Sequence, residues 1–520
     1  MTAPAVAEYG LQDSIGGPNL TAASSVDEKE KLESPGASTI APLSDASVKD
    51  WTDAEEAAVR RKLDLLVMPL LMLGFFVFQL ERGNISNALT SSLLKDVGID
   101  QTQFNTGQGL LYLGIVLLEI PSQVVLQRVG PARWISLQVL AFGLVGTFQA
   151  WMSNYGSYLA TRILLGCVES GYIPGGLFTI SRFYKRDELA KRNAAFFLGS
   201  GLASAVTGLF AYGILRMEGL HGYAGWQWLF IIEGCLAIGI AIFFFLLLPA
   251  SPESPAPFLF PRMPYFTERQ KYILRTRVIL DDANKAQSAR NIGVKAIVRT
   301  VTNPRIWPHV LLAVSLIAPT AAMGTYTPTL IRSFGFDTLK ANALSSVAGW
   351  VGLVTTFAFG VLSDKTGRRG LSCIAAVTCF WVFWVAFQQV SLGTDKWAKY
   401  ALIVLVQGFN AAYHPLNASW LSLNQITPQE RSIAMAMFVS AANTGAAVGS
   451  QLLRKDDAPL YRRGFRVCVA LVSFGLLTAI CQHVQYRWSN RRLDQQRQEL
   501  SIDSEKAGDV DETVRKPYVI

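Results

Sequence analysis

The chain has 520 residues, 51% of them hydrophobic and only 16% charged, against roughly a quarter charged in an average soluble domain, and its mean hydropathy is positive. Such a chain takes lipid, not water, as its main solvent. The net charge of +9 does not point to nucleic acid, because the basic residues sit in alternate loops and not on one face of a folded domain.

The first fifty residues are rich in Ala, Ser, Gly, Asp and Glu and lack the basic start, short apolar run and small-residue cleavage site of a signal peptide. Residues 1–55 are therefore expected to be a disordered cytoplasmic tail, with insertion led by the first span. A bilayer core of about 30 Å takes roughly 20 mainly apolar residues per helix. Runs of that length recur at 64–88, 106–127, 133–152, 157–180, 193–215 and 226–249, then at 305–330, 341–362, 371–391, 399–421, 432–453 and 464–484. The prediction is an all-α membrane protein whose twelve transmembrane helices form two six-helix bundles, 56–250 and 304–486. A polar stretch at 251–303 joins them, and a disordered tail follows from 487 to 520. Within the joining stretch, Thr267 and Gln270 have capping-box spacing ahead of QKYILRTRVIL, which predicts a short surface helix in a cytoplasmic tether.

The loop after the fourth span carries Arg182, Lys185, Arg186, Lys191 and Arg192, and the loop after the eighth carries Lys365, Arg368 and Arg369, whereas SNYGS between the third and fourth has no basic residue. This bias places the even-numbered loops and both tails in the cytoplasm. The loop after the eleventh span, with Arg454, Lys455, Arg462, Arg463 and Arg466, runs against it, partly offset by Asp456 and Asp457.

The halves read as distant copies. RVGPARW at 128, AKRNAAF at 190 and GYIPG at 171 match KTGRRGL at 365, QERSIAM at 429 and AYHPL at 412, each displaced by about 240 residues. Duplicated halves place a solute site at their interface near the bilayer midplane.

Ionisable residues inside spans are the candidate site, since each costs several kcal/mol in lipid unless paired or facing water. The apolar run Leu65 to Leu80 reaches only about 24 Å, so Glu81, Arg82, Asn84 and Asn87 are drawn into the first span. Arg82 presents a fork of donors suited to a carboxylate; the alternatives are that it pairs only with Glu169 or lies just beyond the membrane. Arg162 and Glu169, seven residues apart, share one face of the fourth span. A carboxylate that takes up and releases a proton beside an arginine is a coupling device, although a static ion pair would look the same. The tenth span offers Asn410, His414 and Asn417, and the seventh offers Tyr326 beside Pro328. Glu119 and Glu233 are further candidates. The six cysteines lie in or beside apolar spans without metal-ligand spacing, and no GxxxxGK[ST] phosphate loop occurs, so no metal, cofactor or enzymatic activity is expected.

GVLSDKTGRR (Gly360–Arg369) resembles the cytoplasmic loop motif of the major facilitator superfamily, RILLGCVESGYIPG (Arg162–Gly175) and LERGNISNA (Leu80–Ala88) are similar to the fourth- and first-helix signatures of its fungal allantoate permease group of anion:cation symporters, and DAPLYRRG (Asp457–Gly464) to that group's eleventh-to-twelfth loop. The resemblance covers roughly residues 55–490. It implies proton-coupled uptake of a small organic anion at the plasma membrane by a monomer, with Arg82 and Arg162 contacting the anion and Glu169, with Glu81, in coupling. It also implies a conformational lock at Gly360, Asp364 and Arg368. The first-half copy of the lock departs from the pattern, with Gln127 for the aspartate and Pro131 for an arginine. Export of a metabolite by proton antiport, or a receptor that has lost transport, are the alternative readings.

Overall fold

In the computed structural model the described residues are 49–260, 263, 265–281, 294–389, 394–425, 427–458, 461–507 and 518–519; most of the expected N-terminal tail lies outside them. Helix starts follow local chemistry. α1 (Asp53–Leu66) opens on a Thr52/Glu55 capping box, α4 (Gln101–Val129) on Asp100/Gln103 and α6 (Tyr155–Glu169) on Asn154/Ser157, each pair satisfying backbone N–H groups that have no partner within the helix. In chain order the first half continues with α2 (Met68–Ala88), the short α3 (Leu93–Val97), α4 (Gln101–Val129), α5 (Pro131–Phe148), α6 (Tyr155–Glu169), α7 (Tyr172–Phe183), α8 (Arg186–Ile214) and α9 (Gly225–Leu247). Then follow α10 (Glu268–Asp281) and α11 (Val294–Val301), and in the second half α12 (Trp307–Ser333), α13 (Thr338–Thr366), α14 (Arg369–Gln388), α15 (Lys396–Asn410), α16 (Tyr413–Leu423), α17 (Pro428–Gly449) and α18 (Arg462–Ala507).

Eleven helical stretches among the described residues are long and apolar enough to cross a membrane. The expected tenth span is not one of them because it is broken at Ala411–Ala412 into α15 and α16, each too short to cross alone. The fourth span is broken too, at Ser170–Gly171, where Gly171 takes φ 76, a left-handed conformation that costs glycine little. The two breaks fall at the same place in the two copies, about 240 residues apart.

Within the first half α5 packs on α9, α2 on α8 and α4 on α6; within the second, α12 packs on α17 and α18, α14 on α18 and α13 on α15. The halves meet mainly where α8 lies on α13 and α4 on α17. At Gly349 of α13 a side chain would strike the backbone of Ser204 and Ala205 in α8, so glycine there sets the close approach.

The polar segment between the halves is more than a tether. α10 begins where the capping pair predicts, Thr267 and Gln270 exchanging backbone-to-side-chain hydrogen bonds of 3.2 and 3.3 Å. It carries Arg277, whose side chain is fully buried. Arg277 donates to Glu188 Oε1 at 3.1 Å and to the Phe183 carbonyl at 3.1 Å, and lies 3.8 Å from Glu56 of α1. Lys185 pairs with Glu56, Arg60 stands 3.5 Å from Glu188, and the Trp51 indole donates to Glu56 at 3.0 Å. This network fixes α1 and α10 to the start of α8.

The tail expected to be disordered from 487 differs as well. α18 continues to Ala507, because the polar run is rich in Arg, Gln and Leu, which favour helix. Tyr518 and Val519 then lie against the second half. The amide of Asn490 and the backbone of Tyr518 exchange two hydrogen bonds, 2.8 and 2.9 Å, while Val519 donates to Asn424 at 2.7 Å and accepts from the Trp420 indole at 2.9 Å.

Candidate functional site

Five ionisable residues gather inside the first half. Arg82 of α2 donates from Nε to Glu169 Oε2 of α6 at 2.7 Å; the glutamate side chain is fully buried and the arginine side chain retains 22% exposure. The Arg82 guanidinium also lies 4.3 Å above the Phe78 ring, a cation–π contact that holds the fork in place. Two helical turns away on α6, Arg162 is 1% exposed and sits 5.7 Å from the Tyr158 ring. Its Nε and Nη2 make no hydrogen bond among the described residues. Glu81 is buried, with the Gln149 amide 3.5 Å from its Oε1, and Glu233 of α9 is buried beside Asn84. A charged, preorganised wall results: one arginine bound but partly accessible, one buried with donors unused.

The second half supplies a neutral wall. Asn410 donates to Gln407, and Gln407 donates to Thr327 of α12 at 3.0 Å. His414 stacks on Phe438 with ring centroids 4.7 Å apart, and its buried Nδ1 makes no hydrogen bond among the described residues. Asn417 is committed elsewhere, bonding both the ring and the carbonyl of buried His309 at 2.5 and 3.1 Å. Gln407 was not a sequence candidate, although it lies one turn before Asn410 on the same face. Glu119 of α4 links the walls by accepting from Asn443 of α17 at 3.3 Å.

Tyr326 is not part of this central group. It donates to Asn105 of the opposite half in a cluster that ties the ends next to the odd-numbered loops together. There Gln101 and Asn105 donate to the Leu453 carbonyl at 3.1 and 2.9 Å, Gln451 donates to the Asn105 carbonyl at 2.9 Å, Arg332 donates to the Thr90 carbonyl at 2.6 Å and Asn342 donates to the Thr90 hydroxyl at 2.8 Å. One hydrophobic core crosses between the halves at this end, joining Phe104 and Trp226 to Tyr326 and Leu453, and continues through the second half to Trp420 and Tyr486. Toward the opposite end the halves keep separate cores, one around Phe75 and Tyr172 and another around Ile306 and Phe438. The fold is thus fastened on one side of the central residues.

Asn87 is buried and bonds weakly, at 3.4 Å, to the Gly83 carbonyl of its own helix. In the lock motif Asp364 pairs with Arg369 at 2.5 Å, not with Arg368, which precedes α14 without a side-chain capping bond and is exposed. Gly367 closes α13 with φ 66, and the turn brings Arg369 back so that it also donates to Ser363 at 3.0 Å. A side chain at Gly360 would meet nothing within 4 Å, so the close packing expected of that glycine is absent from this conformation. In the first-half copy Gln127 is exposed and Pro131 starts α5. On the side of the odd loops, Asp337 caps α13 by accepting from the Lys340 N–H at 2.9 Å, a bond that holds its carboxyl below the ordinary range.

The family model of the Major Facilitator Superfamily matches residues 71–450. An uncharacterized transporter of Saccharomyces cerevisiae is 28% identical over 85% of this chain and 82% of its own length. The MFS-type transporter cnsO of Penicillium expansum is 27% identical over 89% and 90%. Among solved structures, the xylose transporter XylE from E. coli in a partially occluded inward open conformation superposes with TM-score 0.60 at 17% identity, over 80% of this chain and 96% of its own. A bacterial homolog of the human lysosomal transporter Spinster gives 0.58 at 16%, over 84% and 97%. These structures share the fold of this chain. With a family model matched over most of its length and eleven helical stretches long and apolar enough to cross a membrane among the described residues, the chain belongs to the major facilitator superfamily, a multi-pass membrane transporter and not an enzyme.

Proposed function

We propose that this transporter is a proton-coupled symporter of a small organic anion, in the manner of the allantoate permease group, working by alternating access as a monomer. The observation that carries the reading is the Arg82–Glu169 bond: a permanently charged fork, partly accessible, held by a fully buried carboxylate on a broken helix. Protonation of Glu169 would cancel its hold on Arg82 and free the fork for a substrate carboxylate, so that proton and anion enter together. Arg162 supplies a second anion-facing charge, Asn84 and Asn87 line the same helix, and Asn410, His414 and Gln407 give neutral contacts from the other half.

The distribution of Lys and Arg supports both tails and the even-numbered loops facing the cytoplasm, and the resemblance to the allantoate permease group implies the plasma membrane. On that orientation the fastened end, with Tyr326, faces outward and this conformation opens inward. The exposed Asp364–Arg369 pair and the open space at Gly360 fit a lock, formed by Gly360, Asp364 and Arg368, that engages the other half only when the cytoplasmic end closes.

The test is uptake of radiolabelled carboxylates, vitamin-like and nitrogen-source compounds among them, into proteoliposomes with an imposed proton gradient. Accumulation that collapses when the gradient is dissipated is the expected result, and Glu169→Gln retains binding while losing proton-driven accumulation. Absence of uptake for the whole panel, or uptake indifferent to the gradient, rejects the symport reading.

A further inference from the structure

Two arginines face three buried carboxylates inside the first half. Arg82 is bonded to Glu169, and Arg162 acts on Glu81 and Glu169. Glu233 on α9 is left over. It is 1% exposed, neither oxygen makes a hydrogen bond among the described residues, and the charged group acting on it is another carboxylate, Glu81. A lone carboxylate inside a membrane costs several kcal/mol, and like charges sharing a buried site do not both ionise.

The elements around Glu233 agree on this. α2 contributes Glu81 and Asn84, the latter fully buried with neither amide atom in a hydrogen bond of good geometry although it adjoins Glu233. α5 and the turn after it contribute Thr147 beside Gly234 and Gln149 beside Glu81, both neutral. The turn Leu215–Met217 carries Arg216, which is exposed and donates to the Tyr212 hydroxyl of α8. Space for Glu81 is made by Gly146, where a Cβ would overlap the glutamate carboxylate.

We propose that Glu233 stores a proton in the first half and passes it to Glu81 with Asn84 as the bridging amide, feeding the central pair. The step balances: the O–H bond of Glu233 breaks, one forms on Glu81, and the negative charge moves to Glu233. A neutral Glu81 releases Arg162 to attract the next anion. The role in transport rests on the symport reading above, whereas the stored proton does not.

The full-length protein in phosphatidylcholine vesicles is titrated while infrared difference spectra follow the carbonyl stretch of protonated carboxyl groups. The expected result is a band at neutral pH that is lost in Glu233→Gln and persists in Glu81→Gln, because neither Glu233 oxygen has a hydrogen bond among the described residues, whereas Glu81 Oε1 has the Gln149 amide 3.5 Å away. Asn84→Leu, which keeps both carboxyls, shifts the band. An identical band in wild type and Glu233→Gln overturns the proposal, as does a wild type with no such band whose carboxylate signals respond to sodium at fixed pH. Should Glu233→Gln fail to fold, the wild-type band and its shift in Asn84→Leu decide. If no carboxylate is transported under any gradient, the symport reading falls while these spectra still stand or fall by themselves.

Discussion

Replacing Arg277 by Met keeps most of the side-chain volume and removes the charge from a fully buried site. Glu188 and Glu56, 5% and 7% exposed, lose their most buried partner, and the Phe183 carbonyl loses a donor. Breaking a buried ion pair costs about 3–5 kcal/mol. Here Lys185 and Arg60 still face the two glutamates, so the lower figure, about 3 kcal/mol, is the expected loss. That cost falls on the docking of α10 and α1, not on the spans, whose packing does not pass through Arg277. Hydrogen exchange should therefore show protection in α10 falling roughly a hundredfold while α5 and α9 stay unchanged. Glu188→Gln alone should loosen α10 less, and the double variant should show a coupling of about 1–3 kcal/mol. Unchanged exchange in α10, or strictly additive effects of the two substitutions, would refute the view that this network fastens the segment.

Two further outcomes follow from the central group and the fastened end. Arg82→Lys keeps a charge but loses the planar fork that bonds Glu169, so uptake of an identified carboxylate should fall at least about tenfold; unchanged uptake removes Arg82 from the site. Tyr326→Phe leaves the buried Asn105 oxygen without its donor, costing the fastened state about 1 kcal/mol and raising the population open on the other side some fivefold. Maleimide labelling of a single cysteine at Ser450, buried in this conformation, reads that shift, and an unchanged labelling rate would show that the contact does not hold the end closed.

The fold was legible because hydrophobic length, loop charge and an internal repeat are local properties of the chain, and each pointed to two bundles of six helices. What local pattern misses is partner choice. Arg277 sits in a polar, helix-compatible run in which nothing marks it as buried; only the docking of α10 against α1 and α8 does so. Arg368 and Arg369 are adjacent in sequence, and the left-handed turn at Gly367 decides which of them folds back on Asp364. Polar composition after 487 was read as disorder, yet the same residues are good helix formers and extend α18. Tyr326 lies beside Pro328 as expected, but which end of the bundle it closes depends on Asn105, more than two hundred residues away. For the candidate site, span length forced Glu81 and Arg82 into the membrane and helical spacing put Arg162 and Glu169 on one face. Neither could say which arginine meets which carboxylate.

That division of charge bears on how the proposed coupling would work. All the carboxylates and arginines of the central group belong to the first half, while the second half offers amides, hydroxyls and a histidine stacked on Phe438. A buried ion pair within one rigid bundle does not by itself favour either orientation of the two bundles, because its length is the same in both. It does so only if breaking it changes what crosses the interface. An anion on Arg82 would do this, since its uncharged part must be met by the Gln407–Asn410 wall of the other half, which draws the halves together. A free Arg82 beside an ionised Glu169 presents no such bridge. On that proposal the proton on Glu169 would permit binding and the anion would bring the halves together, while the hydrogen bonds around Asn105 and Thr90 are the contacts whose loss must be offset before the opposite end can open. On the proposed coupling such a carrier would return empty only with Glu169 ionised and bonded to Arg82; the bond itself is present here.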